Sequence, residues 1–226
     1  MQKIFIIFFS YLIMSCDQNS NHHDESLKTF FQDEWEQNLA NYPEYATYLG
    51  DNRYNDRLTD MSLDAVTKRQ NQTQTSLDEL SKIDRNTIST EYKLYYDLYV
   101  DKLKQSIEGQ QYKEHLRPIN QMGGIQISAA NLVDNTPFDS EFDYQNYLTR
   151  LKALPAKIDQ IIVLMKMGIQ ENIMPPQIVL ASVPEQIKKQ YTYSLDESPF
   201  YKPASNSATL QRGVPNDKLI NSLGGR

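Results

Sequence analysis

Apolar residues recur in steps of three and four through residues 140–184, at Tyr144, Tyr147, Leu148, Leu151, Leu154, Ile158, Ile161, Ile162, Met165 and Ile169. That spacing lays them along one stripe of an α-helix and suits no strand, so it predicts a long central helix around which the chain is organised. Ser140, with Asp143 three residues on, predicts the N-cap, and Pro175 with Pro176 predicts a stop. At about 1.5 Å per residue the helix would be roughly 45 Å long, enough to span a large helical body. Pro155 lacks an N–H and crowds the carbonyl of Leu151, which predicts a kink.

The same period recurs on either side of that helix. Ser26 is placed to cap a first helix with Leu27, Phe30, Phe31, Trp35 and Leu39 on one face. Pro43 suits a first helical turn, and Tyr42, Tyr45, Tyr48 and Leu49 predict a short apolar face that Gly50 ends. Residues 51–60 are turn chemistry, with Arg53 and Arg57 expected to pair with neighbouring acids in a solvated loop. Ser62 opens a helix with Leu63, Val66, Leu77, Leu80 and Ile83, polar through residues 68–75. Another helix runs from Ser89 or Thr90 to about Gln110 with Tyr92, Tyr95, Tyr96, Leu98, Tyr99, Leu103 and Ile107. The period then lapses until Pro137, apart from a short helix expected over residues 128–134. A last amphipathic turn follows Val183 and Pro184. The fold class read from these patterns is all-α, an irregular array of helices about a long kinked one.

The amino terminus is of another kind. Lys3 precedes a short apolar run ending in Ile13, Met14, Ser15 and Cys16, which reads as a signal segment too short to cross a bilayer. Its end resembles a bacterial lipobox, which makes Cys16 the expected lipid-attachment residue over residues 1–16. Cys16 is the only cysteine, so no disulfide forms within the chain. Residues 17–25 are polar and without period, as a tether from lipid to helices would be. The expected location is the bacterial cell envelope, with the membrane as partner through the lipid. A net charge of −6 without a basic block argues against nucleic acid.

Candidate chemistry is sparse. There are three histidines, His22, His23 and His115, and none stands in the H-E-x-x-H spacing that puts two zinc ligands on one helix face. Adjacent His22 and His23 on a polar tether read as a solvated pair. Glu114 beside His115 is a dyad in sequence only, since neighbours on a helix point apart. Asn120, Gln121, Gly123 and Gly124 form a loop rich in amides and glycine. It reads either as a cleft lining that holds a peptide backbone or, preferably, as a crossover whose amides satisfy their own neighbours.

Five segments in order carry a resemblance: residues 41–60 (NYPEYATYLGDNRYNDRLTD), 118–124 (PINQMGG), 147–160 (YLTRLKALPAKIDQ), 167–180 (MGIQENIMPPQIVL) and 198–201 (SPFY). Together they resemble the amino-terminal half of the bacterial proteins grouped as domain of unknown function 885. That family is similar to the mostly helical zinc metallopeptidases, and many members are lipoproteins. The resemblance implies a zincin-like helical scaffold over residues 26–203, with residues 204–226 as an unpatterned tail. In longer members the zinc-binding helix lies in the carboxyl-terminal half, so no catalytic or metal-binding residue is carried over. Zinc is expected of full-length members and no cofactor of this chain. The chain is thus expected to be a truncated member, inactive alone. Two alternatives stand beside that reading. It is one part of a split peptidase whose partner is a separately encoded carboxyl-terminal half, or a non-catalytic, membrane-anchored lipoprotein that holds a peptide ligand.

Overall fold

The structure, a computed structural model, describes the backbone of residues 15–205 and the side chains of residues 23–203. The signal segment, the lipid-attachment side chain of Cys16, His22 and most of the tail 204–226 lie outside what is described. Helices α1 (Ser15–Asn41), α2 (Pro43–Tyr48), α3 (Leu63–Leu80), α4 (Thr90–Gly109), α5 (Ile125–Asn135), α6 (Glu141–Gln170), α7 (Gln177–Leu180), α8 (Val183–Thr192) and α9 (Lys202–Ser205) follow in order. Among the described residues there is no strand, only one isolated bridge between Asn120 and Gly123. The fold is all-α.

The chain packs as two units, one of residues up to Asn38 with Thr67–Tyr112, the other of Leu39–Val66 with the chain from Lys113 onward. The first unit joins α1, α3 and α4 around Leu27, Phe30, Leu80, Ile88 and Leu103. Phe30 and Phe31 both meet the Tyr99 ring edge-on, at 5.7 and 5.2 Å between centroids, the arrangement aromatic quadrupoles favour. Glu34 accepts from Tyr99 Oη at 2.9 Å and from Ser76 Oγ at 2.5 Å. Burial and Glu34 together push the Tyr99 hydroxyl well above its ordinary pKa, so it remains a donor. α1 already covers Ser15 onward, ahead of Ser26, so residues 17–25 are helical backbone where a tether was expected. The stretch carries neither Pro nor Gly. Its Asp24 is buried and accepts the backbone N–H of Ser89 at 2.8 Å, a tie 65 residues away that no local pattern announces.

The second unit is built on α6, whose start is as expected. Ser140 accepts the Asp143 N–H while the Asp143 carboxylate accepts the Ser140 N–H, a complete capping box. The helix continues through Pro155 and ends at Gln170, before the two prolines. Asn172 takes the left-handed conformation at φ 58° and the Ile173 N–H returns to the Gly168 carbonyl at 2.8 Å, which closes the helix there. One end of α6 packs Tyr144 against Phe138, Leu148 and Tyr201, with Tyr147 Oη donating to the Phe200 carbonyl at 2.9 Å. Further along, Ile161 meets Ile119 and Val183.

The predicted stripe on α6 is corrected by this packing. Ile158, Ile162 and Ile169 are exposed, and the buried line runs through Tyr144, Tyr147, Arg150, Ile161, Leu164 and Gly168. Two cations, Arg150 and the mostly buried Lys157, stand where an apolar pattern would place aliphatic residues.

Candidate functional site

Arg150, Lys157 and Gln160 lie at seven- and three-residue steps on one side of α6, and all three reach the same distant segment. Arg150 is fully buried, and none of its four acceptors is a carboxylate. Its Nε donates to the Arg57 carbonyl at 2.7 Å. Its Nη2 donates to Thr47 Oγ1 at 2.7 Å, Tyr54 O at 3.1 Å and Pro43 O at 3.2 Å. Burial draws its pKa down from the ordinary value, and the charges of Glu44 and Asp56 draw it partly back. Lys157 Nζ pairs with Glu44 Oε1. Gln160 accepts the Met61 N–H at 2.9 Å and donates to Asp60 at 3.0 Å.

Residues 51–60 are therefore more than a solvated loop. Arg53 and Arg57 do pair with Asp51 and Asp56, as expected. The loop also turns its carbonyls inward to Arg150 and buries Asn55, which accepts from Thr47 Oγ1 at 2.6 Å.

This stitching positions α2 beside α5 and leaves a cleft of about 440 Å³ against α6. α2 and its N-cap residue contribute Tyr42, Glu44, Tyr45 and Tyr48. α5 contributes Ser128, Asn131 and Asn135, and α6 contributes Leu154 and Lys157. Here too the expectation is corrected. Pro43, Ala46 and Thr47 form the packed face of α2, while Tyr42, Tyr45 and Tyr48, expected as an apolar packing face, stand exposed along the cleft. Tyr45 and Tyr48 stack with centroids 6.5 Å apart. Ser128 Oγ, the Asn131 amide and the Tyr45 and Tyr48 hydroxyls have no partner among the described residues and are open to a ligand. A sequence signal for this wall existed in the run of tyrosines, whose hydroxyls seldom all find partners inside a six-residue helix's packing.

Glu44 is saturated. Besides Lys157 it receives the Thr59 N–H at 2.9 Å and the Thr59 hydroxyl at 2.5 Å, both on Oε2. Burial alone would raise its carboxyl, but the Lys157 ammonium and Thr59 outweigh burial and hold it below its ordinary value of 4.5. A carboxyl depressed by folding stabilises the fold above its unfolded pKa and ceases to as pH falls through the folded one. The gap in melting temperature between wild type and Glu44→Gln is accordingly expected to be widest above pH 4.5 and to close below it. A gap that stays constant through acid titration would show that the Lys157 pair adds nothing.

The loop residues singled out in the sequence lie elsewhere. Asn120 Oδ1 accepts the N–H groups of Met122 and Gly123 at 2.8 and 3.0 Å, and Gln121 N donates to the Val179 carbonyl at 2.9 Å. Buried Gln126 donates to the Asn120 carbonyl at 2.8 Å, and Gln186 donates to the Gln121 carbonyl at 3.0 Å. Gly124 sits at φ 131°, where a Cβ would come within 3.1 Å of the Ile119 Cα. Asn120, Gln121, Gly123 and Gly124 are thus a turn that serves its own neighbours, and none of them lines the cleft.

A second cavity, about 410 Å³, is lined by Met165, Ile169, Ile173, Met174, Leu180, Leu116 and Ile119 and is almost wholly apolar. Near it, Glu114 pairs with Arg117 and Glu171 with Lys113, so Glu114 and His115 form no dyad. Burial pushes the His115 pKa down, against the pull of Glu171. Among the described residues no three His, Cys, Asp or Glu side chains come together as a metal would need.

Compared with known families, residues 43–221 match the bacterial proteins of unknown function, DUF885. The chain belongs to this family. The match spans every residue of the cleft except Tyr42, so the cleft is built from the DUF885 sequence and not from an added segment. A comparison of this DUF885 chain with the curated proteins finds no match.

Proposed function

We propose that the α2–α5–α6 cleft binds a short extended peptide, and that the chain is the peptide-holding portion of a lipid-anchored cell-envelope protein. The observation that carries this reading is the cleft lining. It has the volume of an ordinary ligand site. Exposed tyrosine rings offer surface to side chains, while Ser128 and Asn131 offer the donors and acceptors that a peptide backbone needs. The resemblance of the family to zinc metallopeptidases agrees with peptide as ligand, and it assigns hydrolysis to a zinc-binding helix beyond these residues. The lipobox-like Met14, Ser15 and Cys16 supports anchorage. Among the described residues no helix is long and apolar enough to cross a membrane.

Calorimetric titration of the full chain with a pool of acetylated tetrapeptides is expected to give saturable binding. A Tyr45→Ala, Asn131→Ala double variant should bind about tenfold more weakly, a loss of roughly 1.4 kcal/mol. Both side chains are exposed, so the variant should melt as wild type does. Binding unchanged in that variant would move the peptide elsewhere, and no heat from any peptide would end the proposal.

A further inference from the structure

We propose that the cleft takes its ligand by a carboxylate, which Lys157 holds. The inference rests on the peptide-binding reading of the same cleft and names the chemical group recognised. Glu44 and Lys157 are the charged side chains of the lining, and they are unequal. Glu44 is 27% exposed and already accepts from three donors, two on Thr59 and one on Lys157. Three of its roughly four lone-pair sites are therefore taken within the protein. Lys157 carries three N–H donors, and Glu44 Oε1 is its acceptor among the described residues. Its side chain is 14% exposed and lines the cleft.

What the pair presents to a ligand is therefore donor capacity on a poorly hydrated cation. Arg150, two turns back on α6, adds a second buried positive charge behind α2, and it bonds to no carboxylate. An anion entering beside Lys157 meets the Lys157 ammonium, with Arg150 behind it, against a Glu44 carboxylate that Lys157 and Thr59 already engage. The neutral lining fits the same guest. Ser128 and Asn131 can bond the amides that precede a terminal carboxylate, and Tyr45 and Tyr48 can flank its side chains. The chain end of a peptide and an acidic side chain share this chemistry.

The probes are acetyl-tetra-alanine with a free carboxyl terminus, the same peptide amidated, and an amidated version with aspartate in the third position. Each is titrated into wild type, Lys157→Gln and Lys157→Arg full chain. Wild type is expected to bind the free acid about tenfold more tightly than the amide. The preference should vanish in Lys157→Gln and survive in Lys157→Arg. Recovery of affinity by the aspartate peptide would place the carboxylate on a side chain, and failure to recover would place it at the chain end. Acid and amide binding alike to wild type would overturn the inference while leaving peptide binding intact. A preference that persists in a folded Lys157→Gln would overturn it too. If no probe binds, the reading of the cleft falls with it. Should Lys157→Gln fail to fold, the acid and amide pair on wild type still decides.

Discussion

Arg150→Met is expected to destabilise the second unit by about 3 kcal/mol, since hydrogen bonds from a charged donor contribute about 1.5–3 kcal/mol each and those of Arg150 are lost together. Methionine fills much of the same volume, so the loss is chemical and not a cavity. Four acceptors lose the Arg150 donor at once, but the Pro43 carbonyl keeps the Thr47 hydroxyl and the Tyr54 carbonyl keeps the Arg57 N–H, so the Arg57 carbonyl is the one left without a donor. A buried carbonyl left without a partner costs about 1–3 kcal/mol. The sum is offset in part, because the guanidinium no longer has to be kept out of water. Arg150→Lys should recover little, since a point ammonium cannot reach acceptors that a planar fork meets along two of its edges. Urea unfolding of wild type and variant measures the difference, and a change within about 0.5 kcal/mol, the range of ordinary surface substitutions, would contradict the role given to Arg150. Because Arg150 holds α2 against α6, the variant should also lose peptide binding out of proportion to its position behind the cleft.

Gly168→Ala is the second large effect. Alanine is normally the better helix former by about 1 kcal/mol, so a generic helix would gain. Here a Cβ would lie 2.7 Å from the Ile173 carbonyl oxygen, 2.8 Å from the Leu116 carbonyl oxygen and 3.4 Å from the Leu116 Cβ. Both oxygens are backbone, held by the turn that closes α6 and by the short 3-10 segment Glu114–Leu116, so neither can step aside as a side chain could. Overpacking of this kind costs about 1–3 kcal/mol even after local adjustment. The variant is expected to be less stable by about 2 kcal/mol by the same urea measurement, against the direction that helix propensity alone dictates. An increase in stability would show that α6 and residues 114–116 do not approach as closely as described.

Both predictions concern α6, and α6 also shows what a sequence can and cannot tell. Its existence, its cap at Ser140 and Asp143, and its dominance were legible because they depend on spacing and local chemistry. Which side it buries was not. The strongest aliphatic positions, Ile158 and Ile162, face outward, while Arg150 and Lys157 face in. Their partners lie 93 to 113 residues earlier in the chain, and a periodicity cannot see acceptors that the fold brings from that far. The buried tie of Asp24 in α1 to Ser89, 65 residues away, was invisible for the same reason.

The cleft was half legible. The tyrosines of residues 42–48 stood out, but a ring reads alike as core or as wall until its neighbours are known. The amides and glycines of residues 120–124 drew attention for a real reason, the Gly124 backbone, yet the Asn120 side chain bonds within the turn and the Gln121 backbone bonds to Val179 and Gln186. DUF885 membership was legible from five short segments. Three of them, residues 41–60, 147–160 and 167–180, build the α2 wall, its stitching to α6 and the end of α6.

The central claim is that peptide sits between α2, α5 and the middle of α6. Amide shift mapping on an isotope-labelled full chain titrated with acetyl-tetra-alanine tests it most directly. The account predicts shifts clustered at Tyr45, Tyr48, Ser128, Asn131 and Lys157, with the residues around Met165, Met174 and Leu180 undisturbed. Shifts confined to that second, apolar cavity, or to the turn at Asn120 and Gly123, would contradict it.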